Sequence, residues 1–271
     1  MYTVASGVDP SSAAGKRVAS SRRAVAIGHN ERSVTRSPRG AEMSERALSG
    51  RRIIVLGATG GLGRSVTERL RADGASVVAA DTRIPNGKDR QEQVEYLAVN
   101  ALDEASVAAA FATVPPPAAV INLIGGYTPP HTLSMLDVGV LRMQLELNLI
   151  TAAIVTKYAM PVLAAREGGP IVHVSSRVAT QKGDNGFAYS VSKLGVVRLV
   201  EAAAEEGRED GVRVNCIMPS IIDTPANRAA MPDAKHHRWP KPSQIAAVLS
   251  FLVSDDAALI SGAAIPVYGR A

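Results

Sequence analysis

The sequence predicts an α/β protein, a single-domain Rossmann-type doubly wound parallel sheet of about seven strands flanked by helices. Three observations carry that expectation. From Arg51 onward, short apolar runs alternate with segments of helical period. The first of these runs passes directly into a glycine-rich turn and then an amphipathic stretch. Composition stays uniform to Ala271, with no repeat and no second block, so residues 51–271 read as one dinucleotide-binding domain. With 46% hydrophobic and 20% charged residues, the 271-residue chain can bury a sizeable core.

Ile53–Leu56 is apolar throughout, as a strand covered on both faces must be. Leu62, Val66 and Leu70 recur at i, i+4 and i+8, one stripe of a helix that ends near Gly74. Ser76–Ala80 and Val94–Val99 follow as the second and third strands. Asp103 is placed to cap the helix bearing Val107 and Phe111, which Pro115–Pro117 ends. Val120–Ile124 is the fourth strand, and the loop Gly125–Pro130 leads into a long helical stretch from Leu133 to Arg166. Ile171–Ser175 makes the fifth strand, the helix with Tyr189 and Lys193 runs to Gly207, and Val212–Met218 is the sixth strand. A short irregular segment, Pro219–Pro242, precedes a helix with Ile245, Val248, Leu249 and Leu252, and Ala264–Val267 closes the sheet.

The net charge of +5 is unevenly placed: residues 1–52 hold ten Lys/Arg against four Asp/Glu, which leaves the rest near neutral. Residues 1–50 therefore read as a disordered basic N-terminal extension, with Met43 as an alternative start. Asp9, Glu31, Glu42 and Glu45 count against an organelle transit peptide, and no apolar core of a secretory signal is present. The folded body gives no argument for nucleic acid, although binding through the tail would be salt-sensitive. No uninterrupted apolar stretch approaches the ~20 residues that span a bilayer, so no membrane partner is expected and the location is read as cytoplasmic. Cys216 stands alone in an apolar run, which excludes an internal disulfide and reads as a buried strand residue.

Chemistry concentrates in three places. Gly57-Ala58-Thr59-Gly60-Gly61-Leu62-Gly63 joins the first strand to the first helix. Glycines there permit a tight turn and let backbone N–H groups approach a pyrophosphate at the helix N-terminus. Asp81, ending the second strand, is placed to bond the adenosine ribose hydroxyls and repel a 2′-phosphate, so NAD is expected over NADP, with Arg83 the nearest cation. Tyr189 and Lys193, four apart, share a helix face, with Ser176 upstream. A phenol of pKa ~10 is a poor proton carrier near neutrality, and a fixed ammonium beside it is expected to lower that value.

On these residues the chain resembles the short-chain dehydrogenase/reductase family over residues 51–271. The family's turn reads Thr-Gly-x-x-x-Gly-x-Gly; Leu56 replaces the Thr, while Gly57, Gly61 and Gly63 match. The resemblance implies a catalytic set of Asn148, Ser176, Tyr189 and Lys193. It further implies cofactor contacts from Thr59, Gly60, Leu62, Asn100 (where an Asp is usual), Asn122 and Gly125 of a degenerate Asn-Asn-Ala-Gly, Pro219, Ile222 and Thr224. Tyr189 would then exchange the proton, Ser176 polarise the carbonyl and Lys193 hold the nicotinamide ribose, with Asn148 holding a water. The implied activity is hydride transfer between NAD(H) and a small-molecule carbonyl/alcohol pair, in a homodimer or homotetramer. Apolar residues over more than one helix face, Leu141, Leu145, Leu149 and Val155 with Val196, Val197, Leu199 and Val200, agree with such an assembly.

Two other readings stay open. The Thr224-Pro-x-Asn227-Arg228 segment through Met231 and Trp239, with Ile124-Gly-Gly-Tyr127, is similar to the dihydropteridine reductase branch, which implies a flat-ring pocket and a pterin substrate. The Pro219-Ser220 and Asn122–Gly125 departures fit a non-catalytic dinucleotide-binding regulatory protein. No metal site is expected: His173 alternates with Ile171 and Ser175 as a structural strand residue, and adjacent His236 and His237 are poorly spaced for one ion.

Overall fold

The computed structural model describes residues 47–129, 132–181 and 186–271. Its strands are β1 (Arg52–Leu56), β2 (Ser76–Asp81), β3 (Val94–Ala98), β4 (Ala119–Asn122), β5 (Gly169–Val174), β6 (Val212–Pro219) and β7 (Ala264–Val267). The helices among the described residues are α1 (Gly63–Ala72), α2 (Glu104–Thr113), α3 (Val138–Leu145), α4 (Thr151–Ala164), α5 (Phe187–Glu206), α6 (Pro225–Ala230) and α7 (Pro242–Leu252). Every strand pairing is parallel, in the order β3-β2-β1-β4-β5-β6-β7. The expected seven-stranded Rossmann-type sheet is what the chain forms.

Period-two alternation divides the core between the two faces of that sheet. Ile54 and Leu56 of β1 pack with α2, α4 and α5 through Val107, Phe111, Val155, Leu163, Val196 and Val200. Ile53 and Val55 point the other way, onto Val66 and Leu70 of α1 and Ile245, Leu249 and Leu252 of α7. The chain winds outward from β1 to β3 and then crosses back to β4, so the carboxyl ends of β1 and β4 diverge. Such a switch point leaves a crevice that neighbouring loops cannot fill.

Several boundaries differ from expectation, each for a local reason. Leu48 is fully buried against the α1/α7 side, and its N–H bonds the Asp73 carbonyl at 2.9 Å. The packed domain therefore includes Leu48, short of the boundary placed at residue 50; residues 1–46, Met43 among them, lie outside the described residues. β4 ends at Asn122, not Ile124, because the Asn122 Oδ1 accepts from the Ile124 N–H at 3.1 Å and turns the chain. The long helical stretch opens with a single 3-10 turn, Leu133–Met135. It restarts at Val138, where Asp137 accepts from the Gly139 N–H at 2.7 Å, and passes through a π-turn at Glu146–Ile150. Thr224 caps the short α6 inside the segment expected to be irregular, accepting from Asn227 N–H at 3.2 Å.

Helix Val138–Ala164 is 27 residues long and contains an 18-residue window of mean hydropathy 1.5, long and apolar enough by those criteria to cross a membrane, which the count of uninterrupted apolar residues did not register. Of its buried polar residues, Gln144, Asn148, Thr151 and Thr156, the first two belong to the site described next. The apolar residues expected to meet a partner are partly the chain's own core: Val155, Val196, Val197 and Val200 are buried within it. The other four, Leu141, Leu145, Leu149 and Leu199, are half-buried, and the exposed large apolar residues of these helices are different ones: Val138, Met143 and Ile150 on the α3–α4 run and Phe187 and Leu194 on α5.

Candidate functional site

At the β1–α1 junction Gly57 adopts φ +76°, a left-handed conformation, and its N–H bonds the Ala80 carbonyl at 2.9 Å. A Cβ at Gly63 would come within 2.5 Å of the Ala58 carbonyl oxygen, and one at Gly61 within 3.1 Å of the Thr224 methyl. Neither position admits a side chain without displacing backbone or Thr224. The first turn of α1 has no side-chain cap and no acidic residue, so its N–H end is left for an anion. This uncapped, glycine-lined turn fits a dinucleotide pyrophosphate.

A cavity of ≈ 480 Å³ opens beside the turn, lined by Thr59, Gly60, Asp81, Arg83, Asn100 and Leu123 among others. Asp81 Oδ2 accepts from the Thr59 N–H at 3.0 Å and hydroxyl at 2.7 Å, and Oδ1 from the Thr82 N–H at 2.8 Å. The carboxylate thus ties the glycine turn to the end of β2 while facing the cavity. Asn100 lines the same space, its Oδ1 accepting from the Leu102 N–H at 3.1 Å.

A second cavity, ≈ 430 Å³, holds Ser176, Tyr189 and Lys193 together, with Leu62, Tyr127, Pro219, Ile222 and Met231 in its lining. Leu123 and Gly125 border both spaces, so they form one cleft. Lys193 is buried, and its ammonium donates to the Val174 carbonyl at 3.0 Å; burial pulls its pKa down to about 8. The expected lowering of the Tyr189 pKa by this ammonium is not what the structure shows. Burial pushes the phenol up, its hydrogen bond with Ser176 opposes that, and Tyr127 reinforces it. The ammonium sits 5.9 Å from the Tyr189 ring centroid and spends its contact on a carbonyl.

Asn148 lies in the π-turn, a distortion that recurs at functional sites because it re-aims one side chain. It grips the Gly126 peptide from both sides: Oδ1 accepts from the Gly126 N–H at 2.9 Å and Nδ2 donates to the Gly126 carbonyl at 3.0 Å. Nδ2 also reaches Gln144 Oε1 at 3.0 Å and Ser192 Oγ at 3.1 Å. With its side-chain donors used, Asn148 holds the loop after β4.

Asn122 corrects another expectation. It is buried rather than lining the cleft, bonding the Ile124 N–H and His173. Since Asn122 Oδ1 accepts from Ile124, Nδ2 donates to His173 Nδ1 at 3.3 Å. The imidazole proton then lies on Nε2, facing Thr156 Oγ1 at 2.9 Å, which donates onward to the Ala152 carbonyl at 2.8 Å. His173 is structural, as its strand position implied, and burial with the nearby Lys193 charge lowers its pKa to about 4. Cys216 is likewise a core residue, with its thiol pushed up to about 12 by burial. Thr224 sits against Gly61 rather than in the lining of the second cavity.

Of the three residues suggested for a flat-ring pocket, Tyr127 and Met231 line the cavity, and Tyr127 meets Tyr189 edge-to-face at 5.1 Å. Trp239 does not; it is buried with its ring centroid 4.6 Å from that of His236. Sequence reasoning missed Arg177, which lines the cavity beside Ser176, and Gln144 and Ser192, which hold Asn148. Arg177 was visible as the residue after Ser176; the other two had no signal beyond the helical spacing of Gln144 to Asn148 and of Ser192 to Tyr189.

Residues 57–269 match the family described as "Enoyl-(Acyl carrier protein) reductase". The chain is 29% identical to cis-4-hydroxycyclohexanecarboxylate dehydrogenase of Sinomonas cyclohexanicum, over 82% of this chain and 97% of that protein. It is 31% identical to dehydrogenase/reductase SDR family member 4 of Oryctolagus cuniculus, over 83% and 94%. A Beutenbergia cavernae protein solved with bound NADP at low occupancy superposes with a TM-score of 0.75 at 26% identity, covering 82% of this chain and 96% of that one.

The His173 geometry makes stability pH-dependent. The unfolded chain protonates this imidazole below the ordinary value of 6.5, while the folded protein resists until about 4. Stability is therefore lost as pH falls through that window, by about 3 kcal/mol from this residue. Urea unfolding at pH 7.5 and 4.5 should show a smaller acid loss in His173→Gln than in wild type; equal losses would place the acid sensitivity elsewhere.

Proposed function

Because the chain belongs to the short-chain dehydrogenase/reductase family of NAD(P)-binding oxidoreductases, we propose that it interconverts a carbonyl and an alcohol of a small molecule with NAD(H). The observation that carries this reading is the meeting of Ser176, Tyr189 and Lys193 in one cavity continuous with the glycine-turn cleft. A bound nicotinamide supplies or accepts the hydride, which leaves the protein to manage the proton on oxygen. In reduction, Ser176 hydrogen-bonds the carbonyl oxygen and Tyr189 donates its proton there. Burial keeps the phenol protonated, the form this direction requires. Lys193 presents its ammonium to the nicotinamide ribose, and Asn148 and Gly125 position the loop between them.

The preference for NAD rests on Asp81, which faces the adenosine side and brings negative charge to where a 2′-phosphate would lie. Its ties to Thr59 leave less acceptor capacity than a free carboxylate, so it bonds the ribose while bracing the turn. The exposed apolar residues of α3–α4 and α5 further support a homodimer or homotetramer built on those helices.

Three outcomes test these proposals. Tyr189→Phe should abolish turnover on a carbonyl and alcohol panel while NADH affinity, read by calorimetry, stays within about threefold, since only the proton relay is removed. Turnover equal to wild type would end the mechanism. Asp81→Ala should weaken NADH binding by about 1.5–3 kcal/mol and narrow its gap to NADPH, and a wild type that binds NADPH more tightly would reverse the cofactor assignment. Light scattering should show an oligomer that Met143→Glu with Leu194→Glu shifts toward monomer; a monomeric wild type at micromolar concentration would remove the shared interface.

A further inference from the structure

Among the described residues, the cavity that holds Ser176 and Tyr189 is lined by positive charge with no negative charge to answer it. Its lining includes two cations, Arg177 and Lys193, and neither Asp nor Glu. Lys193 is committed to the Val174 carbonyl. Arg177 is not: its Nε is shielded from solvent and has no hydrogen-bond partner, and among the described residues it forms no ion pair. Its guanidinium lies over the Tyr268 ring, 5.9 Å from the centroid, and the Tyr268 carbonyl is pinned by the Ser220 hydroxyl at 2.7 Å.

A shielded Nε–H without an acceptor forfeits its hydration until a partner arrives. The planar fork of a guanidinium matches a carboxylate. Position adds to this. Arg177 opens the single turn Arg177–Ala179 directly after Ser176, so the guanidinium and the hydroxyl bonded to Tyr189 leave the same short segment.

We propose that the substrate is an oxo- or hydroxycarboxylate whose carboxylate is received by Arg177 while its reacting oxygen lies at Ser176 and Tyr189. This rests on the oxidoreductase reading of the cavity. In reduction the carbonyl carbon gains hydride from the reduced nicotinamide, its oxygen gains the Tyr189 proton, and the carboxylate keeps its charge throughout. Arg177 acts on binding and orientation, not on the proton.

The test uses the full chain and matched pairs of probes. Benzoate and benzamide, titrated calorimetrically into the NADH-loaded protein, report anion recognition without turnover. Oxo-acids and their methyl esters, followed by nicotinamide absorbance, report it during turnover. Benzoate should bind at least about tenfold more tightly than benzamide. Arg177→Gln should remove that difference and lower kcat/KM for the acids about 10- to 100-fold, mainly through KM, with the esters within about threefold. Arg177→Lys should restore part of the difference. The thermal midpoint of Arg177→Gln should equal or exceed that of wild type, since an unanswered charge is removed; a structural arginine would instead lower it. Equal binding of benzoate and benzamide by wild type, or benzoate affinity unchanged in Arg177→Gln, overturns the proposal. Failure of the oxidoreductase reading is a separate outcome, seen as no change in nicotinamide absorbance with wild type across the carbonyl and alcohol panel while benzoate recognition is intact.

Discussion

The site depends on the absence of a side chain at Gly125. A Cβ there would stand 2.6 Å from both Asn148 Oδ1 and Lys193 Nζ, closer than any carbon tolerates. The bare backbone lets the loop after β4 drop onto the π-turn and lie under Asn148, which fixes the Gly126 peptide through both its N–H and its carbonyl. The same space admits the Lys193 ammonium beneath Val174. Loop, long helix and α5 meet at one residue, and the cleft at the sheet's switch point inherits its shape from that contact.

Burying so many polar groups demands that each find a partner, and the chain arranges this in layers. Asn122 turns the end of β4 and orients His173, which passes its proton toward Thr156 and the Ala152 carbonyl. Ser175 donates to the Lys193 carbonyl at 2.7 Å, fixing α5 against the end of β5. Because His173 stays neutral, Lys193 is spared a second positive charge in the core behind it. A charged imidazole there would drive the ammonium's already lowered pKa further down.

How far all this was legible depended on the range of the interaction. The strands, the glycine turn and the Tyr189/Lys193 pairing are set by period and by neighbours a few residues apart, and they were readable. Leu48 was not: one apolar residue in a polar stretch has no period, and only the α1/α7 surface gives it a place. The π-turn at Glu146–Ile150 was equally hidden, because helical spacing continues through it and the extra residue follows from the grip on Gly126. Asn122 looked like a ligand-binding residue by its place after β4, yet the partner that buries it, His173, comes from the next strand of the sheet. Arg177 stood in plain view, but that none of the described residues answers its charge is a property of the assembled cavity.

The electrostatics of the two ends of the cleft bear on direction. Where the proposed substrate binds, Arg177 and Lys193 supply positive charge, and burial holds the Tyr189 proton in place. A carboxylate seated on Arg177 neutralises part of that field and further disfavours the phenolate, so Tyr189 remains a proton donor. An oxidised, positively charged nicotinamide shifts the balance the opposite way, favouring the phenolate that alcohol oxidation requires. The phenol's proton affinity therefore follows the redox state of what is bound beside it. Lys193, held at 5.9 Å from the ring and turned toward a carbonyl, contributes a constant background to that balance. One tyrosine can then serve both directions without any rearrangement of the protein around it.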